Sequence, residues 1–70
     1  MRLSYHKDTD SLYIHLVDRP GVEADEVAPG IVVDFDANRK PVGIDIEHAK
    51  NVIDLTTLDT KSLPIKIKSA

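Results

Sequence analysis

The chain has 70 residues, a formal net charge of −3 at pH 7 and no cysteine. Residues 1–70 are long enough for one domain with a small core, and the missing cysteines exclude disulfides and thiolate metal sites as its stabilising device. The acidic balance disfavours binding to phosphate backbones, and no apolar run is long enough to span a bilayer. We therefore expect a cytoplasmic single-domain protein, without a membrane partner, whose thin core is completed by another protein chain.

The first segment, residues 1–16, alternates apolar and polar side chains on both sides of a polar turn at residues 6–10. A period of two indicates strands with one buried face, and the short connection predicts an antiparallel hairpin. Pairing Tyr5 with Leu12 places all apolar residues of this segment on one face. We expect Asp10 to accept backbone N–H groups within the turn.

The second alternating segment, residues 31–47, is predicted to form another hairpin with a four-residue link. Pairing Phe35 with Val42 places every alternating apolar side chain of the two strands on the same face. A slip of one residue would turn the apolar side chains of one strand towards water. Gly43, in the middle of the second strand, indicates a bulge or a close backbone approach. Residues 22–25, which are charged, are predicted to form a short edge strand before this hairpin.

The C-terminal tail, residues 50–70, departs from the period of two. Asp54 is predicted to cap a short helix that carries Leu55 and Leu58 on one side. A final edge strand is predicted around Leu63, Ile65 and Ile67.

Together these elements predict a small α+β fold that is mostly β. It consists of an antiparallel sheet of four to five strands in consecutive hairpins, with a short C-terminal helix that leaves part of the apolar face uncovered. We expect His48 to lie at the rim of the core. The predicted core residues are Leu3, Tyr5, Leu12, Ile14, Leu16, Ile31, Val33, Phe35, Val42, Ile44 and Ile46.

The second hairpin also carries four acidic residues on its predicted polar face: Asp34, Asp36, Asp45 and Glu47. Clustered carboxylates can bind a hard cation or act as an acid–base pair, which would suit a metal-binding protein or a metal-dependent hydrolase. The favoured interpretation is a solvated polar face, because antiparallel sheets commonly expose one side to water. We expect Asp36 to support the turn that follows it.

Other catalytic or binding patterns are weak. No serine occupies a strand-to-helix elbow, and neither Gly30 nor Gly43 belongs to a phosphate-binding loop, so the sequence favours a non-enzymatic protein without a cofactor. His6, Asp8 and Asp10 lie close enough in sequence to be metal ligands, but turn chemistry explains them better. Contact with nucleic acid is limited to a weak hypothesis that uses Lys61, Lys66 and Lys68.

The blocks Leu3-Ser4-Tyr5 with residues 10–14, and residues 29–36 with residues 42–46, resemble the two signatures of a bacterial family, number 2283 among the domains of unknown function. The resemblance covers residues 1–49. This chain has His6 where the family usually has Asp, so any role of that Asp is in doubt here. The resemblance implies that such proteins are encoded beside short partner proteins, some of them toxin-like.

We therefore predict a small protein-interaction module that self-associates as a homodimer and regulates a small partner protein. The competing hypothesis is the metal-binding or metal-dependent hydrolase described above. The thin predicted core and the absence of catalytic patterns favour the interaction module, whereas the regulated partner is implied only by the resemblance.

Overall fold

The computed structural model describes residues 1–65, which form five strands and one helix. The strands are β1 (Arg2–His6), β2 (Ser11–His15), β3 (Glu23–Ala28), β4 (Ile31–Phe35) and β5 (Pro41–Ile46), and the helix is α1 (Ala49–Val52). All neighbouring strands are antiparallel, in the order β1-β2-β5-β4-β3. The predicted class, α+β and mostly β, is confirmed.

The register of the first hairpin is as predicted, with Tyr5 opposite Leu12. In the second hairpin Val33 lies opposite Ile44 as predicted, but Phe35 lies opposite Pro41 and not opposite Val42. The difference arises from a β-bulge after Asp34, where β5 contributes one residue more than β4. The bulge lies beside Gly43, so one of the two roles predicted for this glycine is confirmed.

Strand β5 joins the two hairpins into one sheet, because it pairs with β4 on one side and with β2 on the other. The connection between β2 and β3 is hydrogen-bonded to β5 and to the end of β4. The backbone N–H of Leu16 donates to the carbonyl of Val42 at 3.0 Å, and that of Val22 donates to the carbonyl of Phe35 at 2.8 Å. The edge strand predicted at residues 22–25 is observed as β3, which lies at the outer edge of the sheet.

The apolar face of the sheet carries the alternating large side chains and is only partly covered. Its residues in the described strands are Leu3, Tyr5, Leu12, Ile14, Ile31, Val33, Phe35, Ile44 and Ile46. Ala49 of α1 is completely buried and packs against Leu12 and Ile46, each 8% exposed, which form the centre of the core. Among the predicted core residues, Leu3 remains 47% exposed and Tyr5 40% exposed. The single helical turn thus leaves the β1 side of this face open to solvent.

The helix lies earlier in the chain than predicted. It begins at Ala49, directly after His48, which is exposed with a φ of 51°, so His48 does not form the rim of the core. Asp54 lies beyond the helix, and its carboxylate accepts the backbone N–H of Thr56 at 2.9 Å, so it forms a local turn in place of the predicted cap. Residues 63–65 are not in a strand, and the rest of the predicted final strand lies outside the described residues.

Candidate functional site

The polar face of the sheet contains a hydrogen bond that spans three strands. Tyr13 of β2 donates its hydroxyl to the Asp34 carboxylate of β4, with 2.6 Å between the two oxygens. Strand β5 lies between these two residues, and the ring passes over Gly43, where an ideal Cβ would overlap the Tyr13 oxygen. Gly43 is therefore required for a close approach as well as lying beside the bulge.

The surroundings of Tyr13 favour its neutral form. The hydrogen bond to Asp34 raises the pKa of the Tyr13 phenol to about 12, with further contributions from burial and from the negative charges of Asp34 and Asp45. The neutral phenol is therefore a persistent donor to Asp34 at physiological pH. His15 packs edge-on against the Tyr13 ring, with 4.5 Å between the ring centroids.

The carboxylate of Asp36 is almost completely buried at the opposite end of β4 from the helix, and only 7% of the residue is exposed. It accepts backbone N–H groups from Asn38 at 2.8 Å and Lys40 at 3.0 Å, and the Arg19 guanidinium donates to it at 3.0 Å. The bond from Lys40, with those from Asn38 and Arg19, lowers the pKa of the Asp36 carboxyl although burial opposes the shift. The turn role predicted for Asp36 is confirmed, whereas its contact with Arg19 was not foreseen.

The four acidic residues considered as metal ligands do not form one cluster. Asp34 accepts the Tyr13 hydroxyl, and Asp45 lies opposite Tyr13 on the same face. Asp36 and Glu47 lie at opposite ends of the β4–β5 hairpin, because each follows the end of its own strand. Within residues 1–65, no three His, Asp or Glu side chains are arranged to hold a metal ion. The same finding applies to the loop that carries His6, Asp8 and Asp10.

The first turn of the chain is fastened to the helix through Asp10. Its carboxylate accepts the Tyr5 hydroxyl at 2.7 Å and the backbone N–H of Lys50 at 3.3 Å, while its carbonyl accepts the N–H of Ala49 at 2.9 Å. The bond to Asp10 also raises the pKa of the Tyr5 phenol. The sequence predicted that Asp10 binds backbone groups within its own turn. Its contacts with the helix were not predicted, because no local pattern connects residues that are 40 positions apart.

The two sides of the apolar face end differently. On the β3 side, the Arg39 guanidinium lies 4.4 Å from the Phe35 ring centroid and pairs with Glu23 at 2.6 Å and Asp25 at 3.1 Å. This charged cluster bounds the face. On the β1 side the face ends at Leu3 and Tyr5, which are partly exposed. The open side is the candidate interaction surface of the described chain.

The hypothesis of nucleic-acid contact through three C-terminal lysines can be compared with the structure at only one of them. Lys61 is exposed, whereas Lys66 and Lys68 lie outside the described residues. The single helix found in residues 1–65 does not have the length and apolar character needed to cross a membrane.

A shallow depression in the surface lies beside Asp34. It is open to solvent, has a volume of about 330 Å³, and is also lined by Gly21, Val22, Glu23 and Ala24.

These features define a small antiparallel-sheet domain with a one-sided core and a tyrosine–aspartate bond across its centre. A family described as a protein of unknown function, DUF2283, matches residues 2–50, which include all five strands and the start of the helix. The chain belongs to this family, and the resemblance seen in the sequence is confirmed. Neither the curated proteins nor the solved structures include a match to the chain.

Proposed function

We propose that this protein is a non-enzymatic interaction module that works as a homodimer. The observation that carries the proposal is the incompletely covered apolar face: among the described residues, no large side chain is fully buried. A domain of this size has a small free energy of unfolding. Burial of its apolar face against a second chain is a common way of stabilising such a domain.

Sedimentation velocity of the full chain over a range of concentrations tests the proposal, with a dimer as the expected species. Leu3→Asn should raise the dimer dissociation constant by about tenfold, because one leucine side chain is no longer buried in apolar surroundings. Val27→Asn, at an exposed position of β3, is the matched control and should leave the constant unchanged. A protein that stays monomeric at every concentration would contradict the proposal.

Regulation of a small partner protein is the second element of the proposal, and it rests on the family resemblance. Native mass spectrometry of the protein purified gently from its host separates the two cases. A mass of two chains supports self-association alone. An added, different protein mass supports a cognate partner and identifies it, whereas no associated protein of any kind would remove both elements.

A further inference from the structure

We propose that two copies join through the outer edges of their β1 strands, antiparallel and centred on Ser4, so that their sheets form one continuous sheet. This inference rests on the proposed homodimer and names its interface. Within residues 1–65, β1 pairs with β2 alone, so its outer row of backbone N–H and C=O groups has no partner strand. Such an edge is a template for another strand.

The two edges of the sheet differ in how they are protected. Strand β3 carries an irregularity between Glu26 and Ala28, and the ion pairs of Arg39 hold two acidic side chains along it. Bulges and charges of this kind block strand addition. Strand β1 contains no proline, glycine or acidic residue, its charged side chain, Arg2, is at its first position, and it pairs with β2 in an unbroken register over five residues. The unprotected edge is therefore β1.

The sequence of β1 is self-complementary about Ser4. In an antiparallel pair centred there, Ser4 faces the second copy's Ser4, and Leu3 faces the second copy's Tyr5. Directly opposite residues share a face, so apolar meets apolar on one side and polar meets polar on the other. The partly exposed Leu3 and Tyr5 would then cover each other, and the two apolar faces would become continuous.

The distribution of charge supports a second copy of β1 as the occupant of this edge. Strands β1 and β2 contain no carboxylate, whereas β3, β4 and β5 all contain at least one in a net acidic chain. Pairing β1 with β1 joins the two sheets at their acid-free sides and keeps the acidic strands of both copies apart. It is also a closed two-fold arrangement, whereas pairing β1 with β3 of another copy would continue into a filament.

A charge-swap experiment at the two-fold axis tests the interface. Ser4→Lys and Ser4→Glu each place like charges face to face, so each variant alone should raise the dimer dissociation constant about fivefold. An equimolar mixture should regain wild-type affinity as a heterodimer, which native mass spectrometry resolves when one of the two variants is labelled with nitrogen-15. Recovery of the heterodimer also shows that both variants fold. Ala24→Lys, on the polar side of β3, is the matched control and should dimerise normally.

The outcomes separate this inference from the proposed function. A monomer at every concentration, including the wild type, would overturn both. A dimer whose affinity is unaffected by either Ser4 variant would overturn only the β1 interface. Filaments that are lost in Ala24→Lys would show β1 pairing with β3 and would also overturn it.

Hydrogen exchange provides an independent measurement on the unaltered chain. The outward-facing amides of β1 should become protected as the concentration rises through the dimer dissociation constant, while those of β3 should not change. Protection of β1 that is the same at all concentrations would mean that the chain's own tail occupies the edge, and the inference would then be wrong.

Discussion

Tyr13 and Asp34 are hydrogen-bonded although an entire strand separates them. The 2.6 Å bond is possible because β5 presents a glycine at the crossing point, so that the phenol end of Tyr13 occupies the space that a side chain would otherwise fill. Three strands from different parts of the chain are thereby connected by one polar contact. This bond leads to two predictions about stability.

Replacing Tyr13 by Phe removes the hydrogen bond and keeps the ring. We expect the free energy of unfolding to fall by about 1 kcal/mol at neutral pH, which is less than the usual contribution of a hydrogen bond to a charged group, because the pair is only partly buried. The measurement is urea unfolding by circular dichroism. Tyr5→Phe, which removes a more exposed bond to Asp10, should have a smaller effect.

The same bond predicts a loss of stability in alkali. The pKa of Tyr13 is raised from its ordinary 10.0 to about 12 in the folded protein. The neutral phenol therefore stabilises the fold fully below pH 10, and this contribution is lost as the pH rises from about 10 to 12. Wild type should converge towards Tyr13→Phe in this range. A constant difference between the two up to pH 12 would contradict the raised pKa.

Gly43→Ala should destabilise the protein by about 1–3 kcal/mol, as expected for overpacking, because the added methyl group would displace the Tyr13 ring. The cost should shrink when Tyr13 is replaced by Ala, since the ring is then absent. A double-mutant cycle measures this coupling. Equal costs in both backgrounds would mean that backbone conformation, and not the ring, requires the glycine.

Asp36→Asn should lower the melting temperature by about 5 °C at pH 7, because the contact with Arg19 loses its charge. The folded pKa of Asp36 is lowered from 3.8, so its charged form stabilises the fold above that pH and the contribution disappears on further acidification. The difference between wild type and variant should therefore narrow below about pH 4. Asp25→Asn, in the exposed pair with Arg39, is the control and should change the melting temperature much less.

Asp10→Ala should cost about 2 kcal/mol, because it removes the contacts to Tyr5 and Lys50 and places alanine at a φ of 53°. Asp10→Gly should cost less, since glycine adopts that conformation freely and loses only the contacts. Urea unfolding measures both. Asp8→Ala, an exposed change in the same turn, should have little effect, and an equal loss there would refute a specific role for Asp10.

Local pattern was sufficient to predict the strands and most of their register. The alternation around Tyr5 and Leu12, or around Val33 and Ile44, decides which side chains share a face, and the short connection then selects the observed pairing. Gly43 indicated a bulge in this strand, but the pattern did not show that Val42 is the added residue, so Phe35 was paired with Val42 and not with Pro41. It also placed the helix too late, since the contact of Ala49 with the core decides where the helix begins.

The contacts that organise the possible sites connect residues far apart in the chain. Tyr13 with Asp34, and Arg19 with Asp36, are joined only after the order of the strands is known. That order depends on which strand lies beside β5, and alternation within each hairpin carries no information about it. The four carboxylates were grouped for a different reason, namely that they were assigned to the polar face of one hairpin, although Asp36 and Glu47 lie at its opposite ends.

Strand β5 is the last of the five described strands to be synthesised, yet it occupies the middle of the sheet. Until Ile46 has left the ribosome, the β1–β2 hairpin and the β3–β4 pair have no common neighbour, and a two-stranded hairpin alone is marginally stable. We therefore expect both apolar surfaces of the nascent chain to stay exposed until β5 pairs with β2 and β4 in a single step. We expect the folding of the chain to be all-or-none. Nascent chains on neighbouring ribosomes of one messenger RNA would be the first molecules able to associate through these exposed surfaces.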